Sequence, residues 1–107
     1  MTRVILINEQ RDDINEIELD LSPHINEVYT LLQRQPTFIG QWPEIDVVIL
    51  KSEIGLIENC NRLPPPFHNE IVKGPIVLVR MDEESEPQDF TLQEYTALVR
   101  RNECLQV

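Results

Sequence analysis

Apolar residues fall along this chain in short runs, divided by polar or proline-containing stretches, and each run carries its own period. Val4-Ile5-Leu6-Ile7 is continuous and mostly β-branched, which predicts a buried strand. Asn8 to Asp13 is polar and turn-like, and Ile17, Leu19 and Leu21 then alternate with Glu16, Glu18 and Asp20. A period of two predicts a strand with one wet face, so residues 1–21 read as an antiparallel hairpin. Ser22-Pro23 follows as a helix start, an N-cap serine with proline at the first helical position. Ile25, Val28, Tyr29 and Leu32 supply an apolar helical face, and the residue before Pro36 should end it. Thr37 to Glu44, which holds Phe38, Gly40, Trp42 and Pro43, reads as a loop. Val47-Val48-Ile49-Leu50 is a third strand, and Ile54-Gly55-Leu56-Ile57 a short edge strand weakened by its glycine.

The stretch from Leu63 to Glu103 is the most determined part of the chain. Leu63-Pro64-Pro65-Pro66-Phe67 locks three successive φ angles and withholds three donors, so it must be extended, polyproline-like backbone. Gly74-Pro75 marks a turn before Ile76-Val77-Leu78-Val79, a continuous apolar run that suits a central strand covered on both faces. The acidic segment from Asp82 to Asp89 cannot bury itself. Thr91 then stands as N-cap with Glu94 completing a capping box, and Phe90 is placed to staple onto Tyr95. Leu92, Tyr95, Leu98 and Val99 form one apolar helical face, with Arg100 and Arg101 near its negative end.

These elements predict a single α+β domain over residues 1–107, with strand and helix order ββαβ(β)βα. The expected sheet is mixed, of about four strands, with two amphipathic helices on at least one face. A hairpin followed by a crossing helix is also how a β-grasp domain begins, and that topology is the leading expectation. Such a topology carries no function by itself.

Composition narrows the function classes. Nineteen acidic residues against nine basic ones give a net charge of −10. A nucleic-acid backbone or an anionic membrane would be repelled, whereas a basic protein partner would be attracted. No apolar stretch approaches membrane-spanning length, and the apolar run after Arg3 is too short for a secretory signal. Cys60 and Cys104 lack a CxxC spacing and no Asn-x-Ser/Thr acceptor occurs, which together favour an intracellular chain with reduced thiols, in cytoplasm or nucleus, one disulfide being the alternative.

Candidate chemistry is sparse. Cys60, His68 and Glu70 could be drawn as a thiol, base and orienting acid, yet nothing around Cys60 offers a helix N-terminus to activate it. A semi-buried cysteine and a loop histidine are the simpler reading, and His24 is expected at the surface of a first helical turn. Asp82, Glu84 and Glu86 alternate like the start of a calcium loop, but its glycine and bidentate glutamate are missing. Glycines at 40, 55 and 74 are too scattered for a phosphate loop. Catalytic residues, metal and cofactor are therefore all expected to be none.

Leu63-Pro64-Pro65-Pro66-Phe67, the strand from Gly74 to Met81, and Pro87-Gln88-Asp89-Phe90-Thr91-Leu92 together resemble a small uncharacterised family. The family is associated with large DNA viruses of algae and other protists, and with some of their hosts. The resemblance covers the second half of the chain; it implies an intracellular or virion setting, including an infected host cell, and no activity.

Partner binding is the best-supported expectation. Trp42 and Phe67 stand on stiff backbone, the kind of aromatic that anchors interfaces, although both could instead fold back as lids over the core. Asp82, Glu83, Glu84 and Glu86 would steer a basic protein toward them. The expected function is thus a small acidic adaptor without enzymatic activity. The alternative is a minor structural or assembly component, homo-oligomeric and at home in a virion. An acidic mimic of nucleic acid ranks third, and an enzyme using Cys60 or His68 last.

Overall fold

The chain places its apolar runs at the centre of one sheet and its two helices on opposite faces. The computed structural model describes residues 1–22, 27–32, 36–53, 55–65, 67–84 and 86–105. Strands β1 (Thr2–Ile7) and β2 (Ile14–Leu19) form the expected hairpin and are followed by helix α1 (Glu27–Leu31). Strand β3 (Pro36–Trp42), a 3-10 turn (Pro43–Ile45) and strand β4 (Val47–Ser52) come next. A long connection leads to β5 (Ile76–Met81), the two-residue β6 (Pro87–Gln88) and helix α2 (Leu92–Leu105).

The sheet order is β2-β1-β5-β4-β3, with β6 also on β5. Every described pairing is antiparallel. The architecture is α+β, but the sheet has more strands than expected and is not mixed. Without a parallel pair, the β-grasp expectation falls. The additional long strand is β3, in the segment that read as a loop. Its register slips between Phe38 and Gly40, leaving Ile39 as a bulge. The extra residue breaks the period-two pattern that announces a strand, and glycine and proline complete the disguise.

Helices on both faces explain why the central strands are apolar throughout. On the α2 side, Ile5, Ile7, Val47, Ile49, Ile76 and Leu78 pack with Phe90, Tyr95 and Leu98. On the α1 side, Val4, Leu19, Val77 and Val79 pack with Val28 and Leu32. All four residues Ile76, Val77, Leu78 and Val79 are buried, as a strand covered twice requires.

The capping of α2 follows the sequence closely. Thr91 Oγ1 accepts the Glu94 amide at 3.2 Å, and the Glu94 carboxylate accepts the Thr91 amide at 3.4 Å. Phe90 meets Tyr95 edge-on, with ring centroids 6.3 Å apart. Helix α1 is tied at its start by Glu27, whose amide donates to Asp20 O and whose carboxylate accepts the Asp20 amide. The expected start at Pro23, with His24 and Ile25, and the expected end before Pro36 lie outside the described residues.

The expected edge strand at Ile54–Ile57 is not formed by the described residues Gly55 to Ile57, and Ile54 lies outside them. A Cβ on Gly55 would collide with the backbone of Lys73 and Gly74, and Gly74 itself has φ of 88°. Two backbones cross there at a separation that only glycine permits. Among the described residues the pairing there is a bridge between Glu58 and Lys73.

Candidate functional site

The proline-rich segment forms a lid. Leu63 and Pro64 are buried, and the Phe67 amide closes a turn by donating to Pro64 O at 3.2 Å. Trp42, at the end of β3, is only 4% exposed and donates its indole N–H to Pro65 O at 3.0 Å. Phe67 lies edge-on to it, with centroids 5.9 Å apart and planes at 71°, and packs against the α2-side core. The two expected interface anchors therefore face inward. A single indole donor satisfied by a proline carbonyl holds the stiff segment down, and little of Trp42 is left for a partner to touch. Pro66 lies outside the described residues.

The acidic segment is a closed hairpin rather than a free connector. Asp82 Oδ1 accepts the amides of Glu84 and Glu86, each at 2.9 Å, and Oδ2 accepts the Gln88 side-chain amide at 3.1 Å. These bonds, the one to Glu86 foremost, hold the Asp82 carboxyl below its usual pKa. Glu83, Glu84 and Glu86 are exposed around the tip. The four expected steering acids thus divide into one keystone and three solvated charges. No group of His, Cys, Asp and Glu suited to a metal ion occurs among the described residues.

Arg80 locks this hairpin to α2. Its guanidinium lies 4.9 Å from the Phe90 ring centroid, donates to Ile45 O and Asp89 O, and pairs with Glu94 at 2.6 Å. The same Glu94 serves the capping box, so one carboxylate joins strand, hairpin and helix. Burial pushes its pKa up, but the hydrogen bond and charge of Arg80 and the bonds from Thr91 outweigh that and leave it lowered.

A polar clamp was not anticipated from the sequence. Asn59 is buried and donates through Nδ2 to Ile7 O and Gly74 O, while its Oδ1 accepts from the Asn61 amide. Asn61 Nδ2 reaches Asn8 O and Gln10 O, and its Oδ1 accepts the Asp12 amide. The long connection is thereby fastened to the β1–β2 turn. The available signal was Asn-Cys-Asn in the long connection, since asparagine both donates and accepts.

Cys60 sits between those asparagines and is exposed. It lines an open cavity beside the β1–β2 turn and α2, and His68 is not part of that lining. His68 Nδ1 is buried without a hydrogen-bond partner. His24 and the Cys104 side chain lie outside the described residues.

The largest exposed apolar side chains of the long connection share one ribbon. The Asn59 amide donates to Val72 O and the Gly74 amide to Ile57 O, both at 2.8 Å, flanking the Glu58–Lys73 bridge. Asn59, Val72 and Gly74 point inward and are buried, while Leu56 and Ile71 stand outward at 90% and 74% exposed. Ile57, at 67% exposed, adjoins them.

A family model described as "Family of unknown function (DUF5880)" matches residues 4–98. No curated protein and no solved structure matches the chain. Among the described residues, no helix is long and apolar enough to cross a membrane.

Proposed function

This chain belongs to the DUF5880 family of unknown function, and from that premise we propose that it is a small acidic protein-binding module without enzymatic activity. The observation that supports this reading is the ribbon carrying Leu56, Ile57 and Ile71. Large apolar side chains left in water on hydrogen-bonded backbone lose little entropy when a partner covers them. Glu53, Glu58 and Glu70 are exposed on the same connection together with Arg62 and Lys73, so the fitting partner offers apolar side chains within a rim of mixed charge. Glu83, Glu84 and Glu86 act at a distance. They lie beyond the far end of β5, a strand of six residues, so roughly 15–20 Å of sheet separates them from the ribbon. Their contribution is steering rather than contact. The setting that accords with the resemblance is the interior of a cell, including one infected by a large DNA virus.

The test is capture of partners from cell extract by the tagged chain and by a Leu56→Ser/Ile71→Ser variant, at low and moderate salt. Loss of the same captured proteins in a variant with unchanged thermal unfolding supports the reading. Capture that the variant leaves intact removes the ribbon from the interface.

A second reading, a self-assembling structural component, is favoured by β3. This edge strand, Pro36–Trp42, carries no charge, exposes Phe38 at 58%, and has no backbone partner on its outer side among the described residues. The opposite edge, β2, carries Glu16 and Glu18, which discourage pairing. Sedimentation of the pure protein over a range of concentrations separates the two readings, because only β3 pairing produces dimers that Phe38→Lys abolishes.

A further inference from the structure

In a chain of net charge −10, two of the nine basic residues converge on one cavity. Arg11 comes from the β1–β2 turn and Arg62 from the long connection, while Tyr95 and Val99 come from α2. The cavity measures about 710 Å³ and is open to solvent. Neither guanidinium is held by a carboxylate among the described residues; the ion pairs there are Arg3–Glu18 and Arg80–Glu94. An arginine surrounded by surplus acid usually finds one, so two that do not are available for an incoming anion.

The cavity is also built rather than incidental. The Asn61 side chain binds Asn8 O, Gln10 O and the Asp12 amide, which fixes the turn that carries Arg11 against the segment that carries Arg62. The Cys60 amide adds a bond to Glu9 O at 2.8 Å. Asp12 holds φ of 64°, a left-handed conformation that this clamp maintains. The same lining includes apolar surface from Ile14, Tyr95 and Val99. The Tyr95 hydroxyl has no hydrogen-bond partner among the described residues, and burial keeps the phenol protonated up to a pKa of about 12, a donor at all ordinary pH. Asp12 supplies the opposing charge, so the described lining residues carry a net single positive charge.

We propose that this cavity binds a small ligand bearing one oxyanion, carboxylate or phosphate, on an apolar body. Arg11 and Arg62 pair with the oxyanion, and the half-buried Ile14 and Val99 receive the body, with Tyr95 as the buried floor beneath them. A few charged groups beside apolar surface are the usual composition of a small-molecule site.

The test is a titration of isotope-labelled protein, followed by amide resonances, with phenyl phosphate, with benzoate and with inorganic phosphate. Saturable shifts confined to residues 11–14, 60–62 and 95–99 are expected with at least one aryl anion, and which one responds distinguishes phosphate from carboxylate. Inorganic phosphate, lacking the apolar body, should bind about tenfold or more weakly. Arg11→Gln and Arg62→Gln should each weaken the aryl ligand about fivefold, with the fold intact because both side chains are exposed. Three outcomes overturn the proposal: no saturable shift at millimolar ligand, equal binding of inorganic phosphate, or binding indifferent to both arginine variants.

Discussion

The ring of Phe67 occupies the place where Gly40 has no side chain, and a Cβ on Gly40 would overlap its Cε1 and Cζ atoms. Gly40→Ala is therefore expected to destabilise the fold by about 1–3 kcal/mol in urea unfolding, through displacement of the ring. In a Phe67→Ala background the same substitution should cost much less. An additive double mutant would show that the ring does not depend on the glycine.

Trp42→Ala should act on stability. The side chain is 4% exposed and holds the proline lid through Pro65 O, so a loss of about 3–5 kcal/mol is expected. Trp42→Phe should retain the packing and lose the bond, at about 1–2 kcal/mol. Partner capture unchanged in Trp42→Phe, with unfolding at lower denaturant, would place the residue in the core by function as well as by position.

The acids of the β5–β6 hairpin should separate by role. Asp82→Ala removes the acceptor for Glu84, Glu86 and Gln88, so faster amide exchange is expected across residues 82–88. Replacing Glu83, Glu84 and Glu86 with Ser should leave exchange unchanged and lower the low-salt association rate with a basic partner. Equal effects of the two variants on exchange would contradict the keystone role of Asp82.

Stability should fall at both ends of the pH scale for different reasons. Asp82 and Glu94 are lowered from 3.8 and 4.5, so what they contribute is present above those values and lost as pH falls through their folded pKa. Tyr95 is raised from 10.0 to about 12 by burial, so its neutral form favours the fold and stability declines between those values as pH rises. Glu94→Gln should flatten the acid limb of the unfolding curve, and Tyr95→Phe the alkaline limb. Limbs that do not move would assign the titration to other groups.

Asn59→Ala should cost about 1–3 kcal/mol, because the carbonyls of Ile7 and Gly74 lose a buried donor. Exchange should quicken at residues 8–13 and 58–62 together, since one clamp holds both. Independent responses of the two segments would show that they are not joined through these asparagines.

Much of this fold was legible locally. The apolar runs of β1, β4 and β5, the β1–β2 hairpin, and the Thr91–Glu94 cap with its Phe90 staple each depend on neighbours close in the chain, and each formed. The α+β class followed from their order. Strand β3 was not legible, because the Ile39 bulge erases the alternation that identifies a strand. The site was less legible still: whether Trp42 and Phe67 face a partner or the core depends on a glycine at position 40 and a carbonyl at position 65. The division has one physical cause. Backbone preference, capping and hydrophobic period act over a few residues and are written in order along the chain. Sheet order, the inward turn of the aromatic lid, and the meeting of Arg11 with Arg62 arise from segments far apart in sequence, and only packing brings those together.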